Sequence, residues 1–164
     1  MTIPAPFAGY EGEVLPEWID FNGHMNLAYY IVVFDYATDL FFDTIGIGRR
    51  YKDETLHGTF VAETHNRYER ELLAGERVSV ASRILGADQK RIHLAHEMFR
   101  CSDGARAATQ ELLFLSIDLK RRRVVPFLPE AAARVAAAVA AHAALPRPDW
   151  CGRHIALPAA AAGG

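Results

Sequence analysis

Cysteine is scarce in this sequence. Its 164 residues contain two, Cys101 and Cys151. That is too few for a disulfide framework, and they lack the paired spacing of a zinc site. Net charge is nearly absent as well. Eighteen Lys and Arg stand against twenty Asp and Glu, a formal −2 at pH 7, which argues against a chain whose main task is binding nucleic acid. Long apolar runs are missing. The most continuous one, Ala131 to Leu145, is mostly alanine and is interrupted by Arg134 and His142; it reads as a helix former rather than a membrane span. Residues Met1 to Tyr10 show no basic start followed by an apolar centre, so no secretory signal is visible. There is no internal repeat. What is present is a globular balance, 51% apolar and 23% charged, in a length that fits one domain. These features predict a soluble, cytoplasmic, single-domain protein and leave its function open.

The order of elements is more informative. After a flexible start at residues 1–9, Tyr10 to Leu15 reads as a short strand stopped by Pro16. Glu17 to Met25, with Asp20, Asn22 and Gly23, reads as a loop. Leu27, Tyr30, Ile31, Phe34, Ala37, Phe41 and Ile45 recur at helical spacing. They predict a helix from about Asn26 to Ile45, with Asn26 as cap and Gly46 and Gly48 past its end. Asp35, Asp39 and Asp43 make a polar stripe along it. Four β-rich stretches follow: Thr59 to Glu71, Arg77 to Leu85, Arg91 to Arg100 and Arg106 to Leu119. Short turn-like breaks between them predict a meander of consecutive antiparallel pairs. Glu130 to Leu145 is expected as a C-terminal helix, and residues 146–164 as a loosely ordered tail. The fold class is therefore α+β: a five-stranded antiparallel sheet with one face against a long central helix, over residues 10–129.

Chemistry concentrates around residue 20. The run Pro16-Glu17-Trp18-Ile19-Asp20-Phe21-Asn22-Gly23-His24-Met25-Asn26 sets a carboxylate, an amide, a glycine and an imidazole just before an apolar helix. A helix start offers unpaired N–H groups and partial positive charge, which can hold a developing oxyanion. Gly23 lets a ligand approach the backbone. Asp20 is placed to act as nucleophile or general base, with Asn22 and His24 orienting substrate or water. The same residue types also serve simply as turn and cap residues. A second cluster is Glu63-Thr64-His65, with Tyr68, Glu71 and Gly75 after it. Strand alternation puts Glu63 and His65 on one face, where they are polar surface, a proton-transfer pair or metal ligands. His93 and His96, three apart on a strand, face opposite sides, which disfavours a shared metal. The run Lys120-Arg121-Arg122-Arg123 reads as a solvated strand end or as an attractor for phosphates.

The segment Asp20-x-x-Gly23-His24-Met25-Asn26, followed by Tyr30, Phe34, Ala37 and Phe41, resembles the signature of the hotdog-fold acyl-CoA thioesterases of the 4-hydroxybenzoyl-CoA thioesterase type. The resemblance covers about Tyr10 to Pro129. It implies that a sheet wraps the central helix and that Asp20 is the catalytic carboxylate. It further implies that amides around His24 to Leu27 hold the thioester carbonyl, and that the working unit is a homodimer or homotetramer with sites at the interface. The spacing Asp20-x-Asn22-x-His24 is also similar to that of plant acyl-carrier-protein thioesterases. Leu27 stands where the pattern has a second asparagine. Leu85 to His96, Glu63-Thr64-His65 and Pro16-Glu17-Trp18 resemble the betainyl-CoA thioesterases of carnitine degradation, a group that also occurs fused to carnitine dehydrogenase. Betaine carries a quaternary ammonium, which aromatic rings bind well, and Trp18, Phe21, Tyr29, Tyr30 and Phe34 lie close by in sequence.

These readings predict hydrolysis of a small acyl-CoA thioester, with no metal and no cofactor beyond the coenzyme A of the substrate. Asp20, Asn22, His24 and Glu63 are the candidate catalytic residues. Trp18, Gly23, Asn26, Leu27, Tyr30 and His65 are the candidate substrate contacts, and Arg121, Arg122 and Arg123 the candidate phosphate contacts. Two alternatives stay open at this stage: a hotdog enoyl-CoA hydratase or dehydratase, and a module that binds acyl-CoA without cleaving it.

Overall fold

The computed structural model describes residues 3–157. The long helix α1 spans Leu27–Thr44, and the Asn26 side chain caps it by accepting the Ala28 N–H at 3.0 Å. Its buried face is Tyr30, Val33, Phe34, Ala37, Thr38, Phe41 and Phe42, alternating steps of three and one that keep side chains on one stripe. Burying each such phenylalanine contributes about 1.5–3 kcal/mol. The stripe is rotated from the sequence expectation, for Leu27 and Ile31 are exposed while Val33 and Phe42 are buried. A second helix, α2 at Arg49–Thr55, was not expected. It buries only Tyr51 and so shows no apolar period, and Asp43 Oδ1 ties its start by accepting the Arg49 N–H at 2.7 Å.

The strands are β1 (Phe7–Glu13), β2 (His57–Tyr68), β3 (Arg77–Ala87), β4 (Arg91–Arg100), β5 (Arg106–Asp118) and the two-residue β6 (Arg123–Val124). Their antiparallel order is β1-β3-β4-β5-β2, with β6 pairing the end of β5. The meander therefore holds only for β3-β4-β5. β2 does not pair with β3; it lies at the opposite edge, against β5. The length of a break does not by itself choose a neighbour. Residues 69–76 span the end of the sheet from β2 to β3, and eight residues reach about 26 Å when extended, more than the roughly 14 Å of three strand spacings. The result is a curled sheet with α1 on its inner face, the hotdog arrangement.

Two apolar clusters fill the inner face. One gathers Val33, Phe34 and Ala37 with Val78, Val80, Met98 and Ala108; the other gathers Phe41 and Phe42 with Ile84, Ile92, Leu94, Leu112 and Phe114. On each element a buried polar residue stands between the two: Thr38 on α1, Ser82 on β3, His96 on β4 and Gln110 on β5. The third helix, α3 at Pro129–His142, joins the second cluster through Ala131, Val135 and Ala138. His142 accepts the Ile84 N–H on Nδ1 at 2.9 Å and donates from Nε2 to the Pro4 carbonyl at 2.9 Å. The expected flexible start is thus fixed from Pro4 onward, and β1 begins at the buried Phe7. Residues 146–152 also depart from the expected loose tail. Trp150 is 2% exposed, Arg83 donates to the Pro146 carbonyl at 2.9 Å, and the Gly152 N–H donates to Glu111 at 2.6 Å. Residues 1–2 and 158–164 of the expected start and tail lie outside the described residues. Among the described residues no helix is long and apolar enough to cross a membrane.

Candidate active site

The Asp20 turn is built by its own backbone. The Gly23 N–H donates to the Asp20 carbonyl at 3.0 Å, and the Asp20 N–H to the His24 carbonyl at 3.1 Å. Gly23 sits at φ +84°, where a side chain is strained. The next residues anchor the turn to the fold. Met25 is buried, and its N–H donates to the Leu72 carbonyl at 2.7 Å; the Asn26 N–H donates to the Trp18 carbonyl at 2.9 Å. The Asp20 carboxylate is fixed at both oxygens. Oδ1 accepts the Asn22 N–H at 2.8 Å, and Oδ2 accepts the Asn26 side-chain amide at 3.3 Å. Asn26 therefore joins the carboxylate to the cap of α1. The backbone amides of His24 and Leu27 enter no hydrogen bond among the described residues. His24 donates from Nδ1 to the Met25 carbonyl at 3.2 Å, which leaves Nε2 open.

Beside this turn lies a recess of about 320 Å³ lined by His24, Met25, Leu27, Tyr30, Tyr68, Glu69, Arg70 and Glu71. Its far wall exists because β2 ends at Tyr68 instead of running on to Glu71 as the sequence pattern predicts. The amides of Glu69 and Arg70 both donate to the one carbonyl of Ala107, at 2.8 and 3.0 Å, so the chain leaves the sheet there and turns toward α1. Tyr30 closes the junction. Its hydroxyl donates to the Arg70 carbonyl at 3.0 Å, and its ring meets that of Tyr68 edge-on at 5.2 Å. Burial pushes the Tyr30 hydroxyl up to about 12, so it stays a neutral donor. Tyr68 and Glu71 follow the Glu63 cluster in the sequence, and no local pattern there points them at the Asp20 turn. The signal lay in the break of strand alternation at Glu69 and Arg70, visible only once Ala107 is known to face them.

The remaining aromatics expected near the site divide. Trp18 and Tyr29 stack on each other at 5.3 Å. Phe34 is buried against His96 at 5.6 Å. Phe21 is 97% exposed at the tip of the turn. None of these four lines the recess, so of the aromatics close to the turn in sequence Tyr30 is the one that does.

Glu63 and His65 pair with Leu113 and Glu111 on β5, and this register puts them on the outer face of the sheet, away from α1. Within one chain they do not meet Asp20. The outer face also carries His93, hydrogen-bonded to Glu111 at 2.7 Å, while His96 points inward, so the two histidines do face opposite sides. The basic run sits at the His57 end of β2, whereas the Asp20 turn adjoins the Tyr68 end. Arg121 is tied to Asp118 at 2.8 Å, Arg122 lies over the Phe60 ring at 5.4 Å, and Arg123 is in β6.

Residues 14–135 match the model of the family described as the Thioesterase-like superfamily. The chain is 42% identical over 149 residues to the betainyl-CoA thioesterase of Pseudomonas aeruginosa, covering 91% of this chain and 94% of that one. It is 36% identical over 150 residues to the L-carnitine dehydrogenase/betainyl-CoA thioesterase of Agrobacterium fabrum, of whose length it spans 30%. Among solved structures, a hypothetical protein of Staphylococcus aureus in complex with CoA superposes with a TM-score of 0.85. The superposition covers 94% of this chain and 98% of that one, at 26% identity.

Proposed function

This chain belongs to the thioesterase-like superfamily and hydrolyses acyl-CoA thioesters, and from that premise we propose that its substrate is betainyl-CoA, cleaved to betaine and coenzyme A with Asp20 as the catalytic carboxylate. The observation that carries this reading is the carboxylate fixed by Asn22 and Asn26 beside two amides, of His24 and Leu27, that have no acceptor among the described residues. The identity to the Pseudomonas aeruginosa betainyl-CoA thioesterase supports the choice of acyl group.

The thioester carbonyl oxygen accepts hydrogen bonds from the unpaired amides at the start of α1, where the helix dipole adds positive potential. Asp20 either attacks the carbonyl carbon directly or takes the proton of an attacking water. In the direct route the C–S bond breaks to leave an acyl–Asp20 anhydride, which water then hydrolyses to free acid and Asp20. In the water route the C–S bond breaks as the water oxygen adds. In both, the thiolate of coenzyme A leaves and is protonated by the proton that water releases. His24, with Nε2 open, and Asn22 position the reactants. Preorganisation matters here because the Asp20 oxygens are already aligned by donors before substrate arrives.

The working unit in this reading is a dimer joined at the β2 edges. A two-fold axis there sets the His57 end of one β2 against the Tyr68 end of the other. That pairing brings Arg121 to Arg123 of one copy toward the Asp20 turn of its partner, where they meet the phosphates of coenzyme A.

Thiol release from betainyl-CoA, benzoyl-type and aliphatic acyl-CoAs tests the proposal, with betainyl-CoA expected to give the highest kcat/KM. Asp20→Asn is expected to lower kcat by about 10²–10⁴-fold with an unchanged circular-dichroism spectrum. Full activity in that variant overturns the assignment.

A further inference from the structure

The acyl group of betainyl-CoA places a permanent positive charge two bonds from the carbonyl carbon. Whatever holds that charge must adjoin the start of α1, where the thioester is held. The recess described above meets this requirement, since His24 and Leu27 form one wall and Tyr30, Tyr68, Glu69 and Glu71 another. Its aromatic and acidic lining is the chemistry that recognises a quaternary ammonium, which takes no hydrogen bonds and is bound by ring faces and nearby anions.

The two carboxylates of the recess are not equivalent. Glu69 is already engaged by Arg106 at 2.9 Å and by Arg67 at 3.8 Å. Glu71 has no cation within salt-bridge distance among the described residues. The nearby Arg100 is taken by Asp103 at 2.6 Å and by Glu76 at 3.5 Å. The one guanidinium in the lining, that of Arg70, donates to the carbonyl of Arg106 at 3.1 Å. Glu71 is thus the carboxylate of the recess that makes no ion pair among the described residues. Tyr68 is 45% exposed, so its ring is presented to a ligand, whereas Tyr30 behind it is buried and held by the Arg70 carbonyl.

We propose that this recess holds the trimethylammonium group of the acyl chain, with Tyr68 and Glu71 as its specificity-determining residues. The inference rests on the betainyl-CoA reading and adds to it the residues that separate a charged acyl group from a neutral one of the same shape.

The test compares betainyl-CoA with 3,3-dimethylbutanoyl-CoA, in which carbon replaces the charged nitrogen. The wild-type enzyme is expected to favour betainyl-CoA in kcat/KM. Glu71→Gln and Tyr68→Leu are each expected to lower that preference roughly threefold to tenfold, mainly through KM. Their kcat/KM for the neutral analogue should fall less than that for betainyl-CoA, circular-dichroism spectra matching wild type report that they fold, and Tyr68→Phe should restore the preference. If the wild type cleaves betainyl-CoA and neither variant moves the ratio, the recess assignment is overturned while the proposed function stands. If the wild type cleaves other acyl-CoAs but not betainyl-CoA, the substrate assignment fails and the recess assignment falls with it.

Discussion

His96 is the residue whose ionisation the fold constrains most. It is fully buried, and desolvation lowers its imidazole to about 3. The neutral ring fits its partners. Thr38 donates to the Phe34 carbonyl and so accepts from His96 Nε2 at 2.9 Å, which leaves Nδ1 to accept from Ser82 at 2.8 Å. A folded value below the unfolded one, about 6.5, means that the unfolded chain takes up a proton first as pH falls. The stability is complete above about pH 6.5 and is lost progressively toward pH 3, by up to about 1.4 kcal/mol per pH unit for one proton. We expect the thermal midpoint of the wild type to fall between pH 6.5 and 5 more steeply than that of His96→Gln. Parallel profiles would show that His96 does not govern this range. At this scale the sequence was a good guide to Asp20, Asn26 and Gly23, because caps, Asx turns and a positive φ are set by near neighbours. It was a poor guide to His96, whose partners are on α1 and β3.

At the scale of elements, local pattern and tertiary contact share the decision. The length of α1 follows from its apolar period and its Asn26 cap. The face it buries is rotated because the inner sheet surface, through Val80, Met98 and Phe114, selects Val33 and Phe42 over Leu27 and Ile31. The C-terminal segment shows the stronger correction. Its proline, alanine and glycine read as a loose tail, yet Trp150 is buried there and Glu111 holds Gly152 and Arg147. Trp150→Ala is expected to cost about 3 kcal/mol, the lower end for a buried tryptophan, because the indole N–H has no partner to lose. For a chain of this length that is a drop in thermal midpoint of roughly 6–12 °C, measurable by calorimetry. A change below about 2 °C would mean that the segment contributes little to the fold.

For the whole molecule, the decisive feature is the order of strands. It leaves β2 at an edge with Phe60 and Val61 exposed. Such an edge invites pairing. If the proposed β2-edge dimer forms, Val61→Lys is expected to shift it toward monomer in sedimentation velocity and to lower kcat/KM in parallel, since the proposed phosphate contacts come from the partner. A wild-type monomer at micromolar concentration, or a dimer unmoved by the substitution, would overturn assembly through this edge.

The sequence by itself determined the α+β class and the long helix behind an Asp-x-x-Gly-His-Met-Asn turn. These depend on periodicity and on contacts a few residues apart, which the order of residues encodes directly. Only the tertiary structure decided that β2 lies beside β5, that Glu63 and His65 face away from Asp20, and that Tyr68 and Glu71 complete a recess beside the start of α1. Those facts depend on which distant carbonyls and side chains meet, Ala107 with Glu69 and Arg70 above all, and no local pattern specifies a partner nearly forty residues away.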